Sequence, residues 1–442
     1  MQRVECGLLA IMGSGETSPT MVSVHRAVVD RLPSDRPNAV LLETPYGFQE
    51  NVADISARAQ NYFHHSVGLR VSVAPGMRGR ASAGTDADRG LAMVQTSDWI
   101  FSGPGSPSYA LDHWHRQPLA AALVERIRHP RGAVVFASAA AATMGCLAVP
   151  VYEIYKVGAA PHWREGLNLL ACLDLQVVVI PHYDNTEGGT HDTRYSYLGE
   201  HRLTILEREL PADAAILGVD EHTAVIVDLL SGSVEITGRG GLTVRRAGRS
   251  RVLPAGVTLS LAELRALTRS DRLASTRVDG VPVQPSRVAQ VATLPEVTLH
   301  CERRFEMARL AGAADDMVQA VLDLEETIGV WAADTEEDEG TSQARAVLRS
   351  LIVRLGHAAA TGLRDPHDLL RPLVEPLLGL RERLRTEQAY QAADDIRAAL
   401  TAAGVIINDT RAGTQWTVAA SADASATRAF RPGRRGEQPG II

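Results

Sequence analysis

The sequence has little of several features that indicate particular classes of protein. Lysine occurs once among 442 residues, at Lys156, and the formal net charge is −7. The chain therefore has no general excess of positive charge that would attract nucleic acid or an anionic membrane. Its four cysteines form no CxxC pair, which argues against a disulfide framework and a zinc knuckle. No apolar run reaches the length that spans a membrane.

The N-terminal residues run directly into a strand-like segment. They lack the basic region, the long apolar region and the cleavage site of a signal peptide. We therefore expect a cytoplasmic protein that does not contact a membrane. The hydrophobic content of 45% and charged content of 22% are ordinary for a globular protein, and the length allows two domains or three.

Short apolar runs alternate with helical stretches over residues 6–140. The predicted strands are Gly7–Met12, Ala39–Glu43, Leu69–Ala74, Trp99–Ser102 and Ala133–Ala137. This alternation predicts an α/β fold with a doubly wound, mostly parallel sheet. The site of such a sheet lies at the carboxyl ends of its strands, so we expect the loops that follow them to converge on one edge.

Residues 133–145 predict an apolar strand, a sharp turn at Ser138 and an Ala-rich helix. This is the layout of a nucleophile elbow, in which a serine hydroxyl is exposed at a strand-to-helix corner. The alternative is that Ser138 only caps the helix, since serine is a favoured cap. The rest of the chain favours the catalytic interpretation.

Acyl transfer by a serine also needs a base, an acid that orients the base, and donors for the oxyanion. We predict that His182, after the buried strand Val177–Ile180, is the base, and that Glu153, just after the elbow helix, is the orienting acid. The backbone N–H groups of Ala139 and Gly105 are the predicted oxyanion donors. The alternatives are a solvated histidine, a glutamate that pairs with an arginine, and an ordinary turn at Gly105.

Four residues are predicted to bind the substrate: Arg194, Arg202, Tyr46 and Asn185. Arginines near the site favour a substrate that bears a carboxylate, because arginine pairs with carboxylates bidentately. A metal site is an alternative, built from His182, Asp184, Glu187, His191 and Asp192, but these residues have no recognised ligand spacing. We therefore predict neither a metal ion nor another cofactor.

The remaining segments predict a second domain. Ser233–Thr237 and Leu242–Arg245 are predicted to form a hairpin near the end of the first domain, which spans residues 1–270. Residues 271–296 are predicted to be a linker, residues 297–418 a helical domain, and residues 419–442 a disordered tail.

Residues 6 to about 265 resemble the serine peptidase family of cyanophycinase and aspartyl dipeptidase. The matching segments are the Ser102-Gly103-Pro104-Gly105-Ser106 loop, the Ala137-Ser138-Ala139-Ala140-Ala141 elbow, His182 with its following arginines, and Gly218-Val219-Asp220-Glu221-His222-Thr223-Ala224. The resemblance implies a class I glutamine amidotransferase-like fold, with Ser138 as nucleophile, His182 as base and Glu153 as third member. At the elbow, Phe136 and Ala140 stand where the family usually has glycine.

A second resemblance covers residues 385–418, which are similar to the C-terminus of cysteinyl-tRNA synthetases. It rests on Tyr390–Leu400, Gly404–Thr410 and the final motif Gly413-Thr414-Gln415-Trp416. Residues 301–418 contain 13 arginines and 20 acidic residues. Since phosphate binding relies on clustered positive charge, tRNA binding is an open alternative that we do not favour over packing or homo-oligomerisation.

The sequence as a whole predicts a serine-type hydrolase of a small peptide or amide bond that works through an acyl-serine intermediate. The alternative is a catalytically degenerate binding protein with a tRNA-related or oligomerising appendage. The elbow residues Phe136 and Ala140 keep that alternative open.

Overall fold

The computed structural model describes residues 6–78, 84–187, 191–270, 291–332, 334, 339–362, 366–410 and 413–418. The predicted tail, residues 419–442, and most of the predicted linker lie outside these ranges. The chain divides into two compact units. The first comprises Met1–Arg304 with Gln319–Ile352, and the second comprises Phe305–Val318 with Val353–Ile442. In sequence, Phe305–Val318 of the second unit therefore lies between the two parts of the first. The predicted domain boundaries stay predictions.

Strands and helices alternate in the first part of the described chain, and the C-terminal region adds further helices and a strand pair. The strands are β1 (Gly7–Met12), β2 (Ala39–Leu41), β3 (Val71–Val73), β4 (Trp99–Ser102), β5 (Gly132–Ala137), β6 (Leu147–Ala148), β7 (Arg164–Glu165), β8 (Val177–Ile180), β9 (Ala215–Val219), β10 (Thr223–Asp228), β11 (Ser233–Gly238), β12 (Gly241–Arg246), β13 (Arg249–Pro254), β14 (Thr258–Ser260), β15 (Val405–Thr410) and β16 (Gly413–Val418). The helices are α1 (Val22–Val29), α2 (Val52–Tyr62), α3 (Thr85–Thr96), α4 (Pro107–Trp114), α5 (Leu119–Arg128), α6 (Ser138–Ala142), α7 (Val151–Tyr155), α8 (Gly199–Arg208), α9 (Leu261–Arg269), α10 (Leu294–Ala311), α11 (Ala314–Trp331), α12 (Glu339–Thr361), α13 (Pro366–Thr386) and α14 (Tyr390–Ala402).

The main sheet confirms the predicted fold class. Within the described residues its strand order is β14-β11-β10-β1-β5-β4-β2-β3. The strands from β1 to β3 in this order are mutually parallel, and β10, β11 and β14 extend the sheet in antiparallel fashion. Helices cover both faces, because Leu9 and Ile11 of β1 belong to one apolar cluster and Leu8 and Ala10 to the opposite one.

A second sheet stands beside the main one, with the order β13-β12-β9-β8. In it β8 and β9 are parallel, with Ile180 opposite Gly218. The predicted hairpin of Ser233–Thr237 with Leu242–Arg245 is wrong. Those segments belong to different sheets, because β11 pairs with β10 and β14 whereas β12 pairs with β9 and β13.

The second unit contains the last described helices and strands, from Val353 onwards, together with Phe305–Val318. Helices α13 and α14 pack with the antiparallel pair β15–β16 around an apolar cluster of Val374, Leu400, Val405, Ile407 and Trp416. None of the helices in the described ranges is long and apolar enough to cross a membrane. The cytoplasmic location stays a prediction.

Candidate active site

Ser138 stands at the carboxyl end of β5, which lies between β1 and β4 in the main sheet. Its backbone has a φ of +45°, a left-handed conformation that is uncommon for a non-glycine residue. Such strain is typical of the sharp turn between strand and helix at a nucleophile elbow. The side chain of Phe136 is buried against the Trp114 ring, with centroids 5.6 Å apart, so its bulk is accommodated in the core.

The Ser138 hydroxyl lies within hydrogen-bonding distance of His182. Ser138 Oγ is 3.0 Å from His182 Nε2, and His182 Nδ1 is 2.9 Å from Glu221 Oε1. Because the carboxylate can only accept, Nδ1 carries a proton that it donates to Glu221, which leaves Nε2 to accept from the serine hydroxyl. The three side chains form one hydrogen-bonded series, in the order that nucleophile, base and orienting acid have in serine hydrolases.

The parallel pairing of β8 and β9 explains why His182 and Glu221 meet. Each residue lies two positions after the last residue of its strand, Ile180 or Val219. The two strands are paired in register, so their carboxyl ends present both side chains side by side. His182 itself has a φ of +46°, which indicates a second constrained corner.

The carboxylate that orients His182 is therefore Glu221, and the assignment of that role to Glu153 is corrected. Glu153 belongs to the short helix α7 and lines a neighbouring groove of about 590 Å³ with Lys156 and Tyr109. The prediction of Glu153 rests on its position between Ser138 and His182 in sequence. The better signal was that Glu221, like His182, directly follows a buried strand.

Glu221 is held as a carboxylate by its neighbours. Burial alone would raise the pKa of Glu221, but the hydrogen bond and charge of His182 and the hydrogen bond from Asn185 outweigh burial and lower it. The Glu221 backbone N–H also donates to Asp184 Oδ1 at 2.7 Å. The adjacent Asp220 differs, since burial and the nearby Asp184 charge raise its pKa to about 7.

Both predicted oxyanion donors are near the serine. Gly105 has a φ of +131°, and a Cβ there would lie 2.2 Å from the Pro45 carbonyl oxygen, so only glycine fits this turn. Gly105 also lines the cavity at Ser138. Ala139 is the second residue of α6, where backbone N–H groups have no acceptor within the helix. The oxyanion role of both residues stays a prediction.

The cavity at Ser138 has a volume of about 300 Å³. It is lined by Ser14, Tyr46, Gln49, Ile55, Arg58, Pro104, Gly105, Ser138, Tyr152, Lys156, His182, Glu187, Tyr197, Glu221, His222 and Asp334. Among the described side chains, no group of three or more His, Cys, Asp or Glu residues is arranged to hold a metal ion.

The four predicted substrate-binding residues occupy different surroundings. Tyr46 lines the cavity, with its hydroxyl 3.1 Å from Ser56 Oγ. Asn185 is fully buried and donates to Glu221, so it supports the orienting acid instead of facing the cavity. Arg194 makes a bidentate contact with Asp192, and Arg202 donates to the Leu198 carbonyl. Neither arginine lines the cavity, which corrects their assignment.

Comparisons with known proteins give matches of the two kinds that the sequence predicts. No established protein-family description matches the chain. A peptidase from an acI-B1 Actinobacterium has a similar structure, with 19% identity and a TM-score of 0.47, covering 59% of this chain and 98% of that one. A putative peptidase E protein from Listeria monocytogenes EGD-e has 15% identity and a TM-score of 0.37, covering 53% and 98%.

The sequence matches among curated proteins are cysteine–tRNA ligases. The ligase of Leifsonia xyli subsp. xyli is 36% identical over 142 residues, which cover 27% of this chain and 30% of the ligase. That of Thermosipho melanesiensis is 29% identical over 122 residues, which cover 26% of each chain. The chain thus spans less than a third of the length of these curated relatives. The chain is similar to cysteine–tRNA ligases over a partial segment.

Proposed function

We propose that the chain is a serine-dependent hydrolase that cleaves a peptide or amide bond of a small substrate through an acyl-Ser138 intermediate. The observation that carries this proposal is the hydrogen-bonded series Ser138–His182–Glu221 beside a cavity. A serine hydroxyl is a weak nucleophile until a neighbouring base takes its proton. The series supplies that base and an acid that fixes the tautomer of the base.

In the acylation step, His182 Nε2 takes the hydroxyl proton as Ser138 Oγ forms a bond to the substrate carbonyl carbon. The N–H groups of Gly105 and Ala139 donate to the resulting oxyanion. The carbon–nitrogen bond then breaks, and the imidazolium returns its proton to the leaving amine. Glu221 accepts from Nδ1 throughout and stabilises the transient imidazolium charge.

In the deacylation step, a water molecule takes the place of the amine. His182 Nε2 accepts a proton from this water as its oxygen attacks the acyl carbon. The ester bond to Ser138 Oγ breaks, and the proton held by His182 passes to that oxygen. The free acid leaves, and the serine hydroxyl is restored.

The size of the cavity favours a small substrate. About 300 Å³ lies at the lower end of the range for small-molecule pockets. Asp334 and Arg58 are among the residues that bound this space. A dipeptide or a comparably small amide is the substrate that we propose.

The proposal is tested by covalent labelling with a fluorophosphonate, which reacts with activated serines. We expect labelling of the wild-type chain at Ser138, located by mass spectrometry, and none in Ser138→Ala. His182→Ala should slow labelling by roughly 100-fold or more, because it removes the base. Ser14→Ala is the matched control, since Ser14 lines the same cavity outside the hydrogen-bonded series.

Two outcomes would contradict the hydrolase. One is equal labelling of wild type and Ser138→Ala. The other is the absence of labelling in a folded wild-type chain, which would favour the degenerate binding protein. Binding of tRNA by the C-terminal region remains a separate hypothesis that we do not favour, given its excess of acidic residues.

A further inference from the structure

The cavity at Ser138 includes a residue from beyond the α/β region. Asp334 lines the cavity and is 9% exposed. It follows α11, whose last residue, Trp331, lies edge-on to the His222 ring with centroids 6.0 Å apart. Both residues belong to the same compact unit as the α/β region. We call the described residues 319–332, 334 and 339–352 of this unit the appended segment.

Asp334 is anchored by two elements of the α/β region. Thr17, shortly after β1, donates its hydroxyl to Asp334 Oδ1 at 2.6 Å. Arg58 of α2 donates from Nη1 to the Asp334 backbone carbonyl at 3.0 Å. These bonds span 317 and 276 residues of sequence. The appended segment is therefore attached where the cavity wall is formed.

Arg58 has an unusual environment for a cavity-lining cation. It shares one face of α2 with Ile55, three residues earlier, and both line the cavity. Arg58 as a residue is half-buried. Within the described ranges, its guanidinium makes one hydrogen bond, to the Asp334 carbonyl, and no ion pair. A backbone carbonyl fixes the orientation of the guanidinium but, unlike a carboxylate, brings no full negative charge into contact with it.

Lys156, which also lines the cavity, is less constrained than Arg58. Lys156 is exposed, and its Nζ lies 5.2 Å from the centroid of the Tyr152 ring. Arginine donates through a planar fork that matches carboxylate geometry, whereas the ammonium is a mobile point charge. Arg58 is therefore the better placed of the two to recognise an anion in a fixed position.

We propose that the appended segment completes the active site: Arg58 binds an anionic group of the substrate, and Asp334 positions Arg58 for that contact. This rests on the hydrolase function proposed above. Asp334 acts through its backbone carbonyl and is a positioning residue. Its carboxylate, which accepts from Thr17, holds the segment in place.

The test measures binding, so that it does not depend on turnover. Full-length protein is titrated with N-acetylglycine, which carries a carboxylate, and with N-acetylglycinamide, its neutral counterpart. We expect the wild-type chain to bind the carboxylate about 10-fold more tightly, as one charge-assisted bidentate contact would give. Arg58→Gln should abolish the difference while leaving affinity for the neutral ligand within about 2-fold.

The positioning role is tested at Thr17. Thr17→Val removes the hydroxyl that anchors Asp334 and should reduce the carboxylate preference without weakening the neutral ligand, whereas Thr17→Ser should retain it. Asp334→Asn keeps both the backbone carbonyl and an acceptor for Thr17, so it should also retain the preference. Arg26→Gln is the control, because Arg26 likewise donates to a backbone carbonyl, that of Ser66, but outside the cavity.

The outcomes separate this inference from the hydrolase proposal. Equal affinities for the two ligands in wild type, or an unchanged preference in Arg58→Gln, would overturn the role of Arg58. Loss of the preference in Asp334→Asn, or its full retention in Thr17→Val, would overturn the positioning role. An Arg58-dependent preference in a protein whose Ser138 does not react would leave the anion site standing and refute only the hydrolase.

Discussion

The two compact units each contain a cluster of charged side chains, and the clusters differ in where their hydrogen bonds end. In the first unit, the series that starts at Glu221 passes through His182 and ends at the Ser138 hydroxyl beside a cavity. In the second unit, Arg381 and Thr414 both converge on Asp409. The first cluster ends at the Ser138 hydroxyl beside a cavity, whereas in the second the charged groups of Arg381 and Asp409 pair with each other.

The cluster at Asp409 has the character of a structural anchor. Arg381, whose side chain is 1% exposed, donates two hydrogen bonds to the Asp409 carboxylate at 2.9 and 2.7 Å. Arg397 adds a third at 3.2 Å and ties α14 to β15. A buried guanidinium is tolerated only with such partners. The proposed chemistry requires the first cluster, whereas the cluster at Asp409 holds α13, α14 and β15 together.

The largest effect that would sharpen this comparison is expected at Glu221. Glu221→Gln removes the charge that fixes the His182 tautomer, so the rate of Ser138 labelling should fall by roughly 10²- to 10⁴-fold. Glu153→Gln makes the same chemical change in the neighbouring groove and should alter the rate by less than about 3-fold. Rates are compared by single-turnover labelling of the two variants and wild type.

A larger loss in Glu153→Gln than in Glu221→Gln would restore Glu153 as the orienting acid. Thermal unfolding of both variants is the control. A fall in labelling that merely tracks a loss of folded protein would show that Glu221 acts on stability instead of on His182.

The contrast between Glu153 and Glu221 also shows what the sequence can predict. Apolar strands ending in polar loops are local patterns, so the strand ends at Ser138 and His182 could be predicted from them. The strand end at Glu221 is a local pattern of the same kind, but the choice of Glu221 over Glu153 depends on the pairing of β8 with β9, a long-range contact that no local pattern encodes. The hairpin prediction failed for the same reason, since β11 and β12 each pair with strands outside that segment.

The arginines near the site illustrate a second limit. Arg194 follows β8 and His182 in sequence, yet Asp192 engages its guanidinium in a bidentate pair. Arg58 precedes the elbow by 80 positions and lines the cavity. Whether an arginine is available to a ligand depends on its partners in space, and for Arg58 that partner, Asp334, is 276 residues away.

A smaller effect is expected when the second cluster is disrupted. Asp409→Asn leaves the buried Arg381 without its ion pair and should lower the free energy of unfolding of the second unit by about 2 kcal/mol, below the cost for a fully buried pair because Asp409 is partly exposed. Hydrogen exchange of residues 366–410 measures this loss. Labelling of Ser138 should not change.

Asp394→Asn provides the matched control, since it removes the same charge from an exposed position on α14. Equal exchange rates in the two variants would show that the Asp409 cluster contributes no more than a surface charge. A change in Ser138 labelling in Asp409→Asn alone would break the comparison, because the second cluster would then affect the chemistry of the first unit.

An effect no larger than that at Asp409 should appear on acidification, and it involves His25. Burial lowers the pKa of His25 to about 4, and His25 Nε2 donates to the Glu16 carbonyl at 2.7 Å. A histidine with a lowered pKa contributes stability above its unfolded value of about 6.5 and loses it as the pH falls towards 4, so about 2 kcal/mol should be lost between pH 7 and pH 5. His25→Gln keeps an N–H donor but does not titrate.

The His25 contribution is measured as the difference in pH dependence between wild type and His25→Gln in denaturant unfolding of the first unit. Wild type alone does not isolate it, because Asp220, with its pKa raised to about 7, becomes protonated over the same range and stabilises the folded state. Arg381 lowers the pKa of Asp409 to about 2, so the second cluster should keep its ion pair down to pH 4. Parallel pH profiles of wild type and His25→Gln would contradict the role of His25. A steeper acid loss in wild type would show that His25 destabilises the first unit at pH values where the Asp409 ion pair persists.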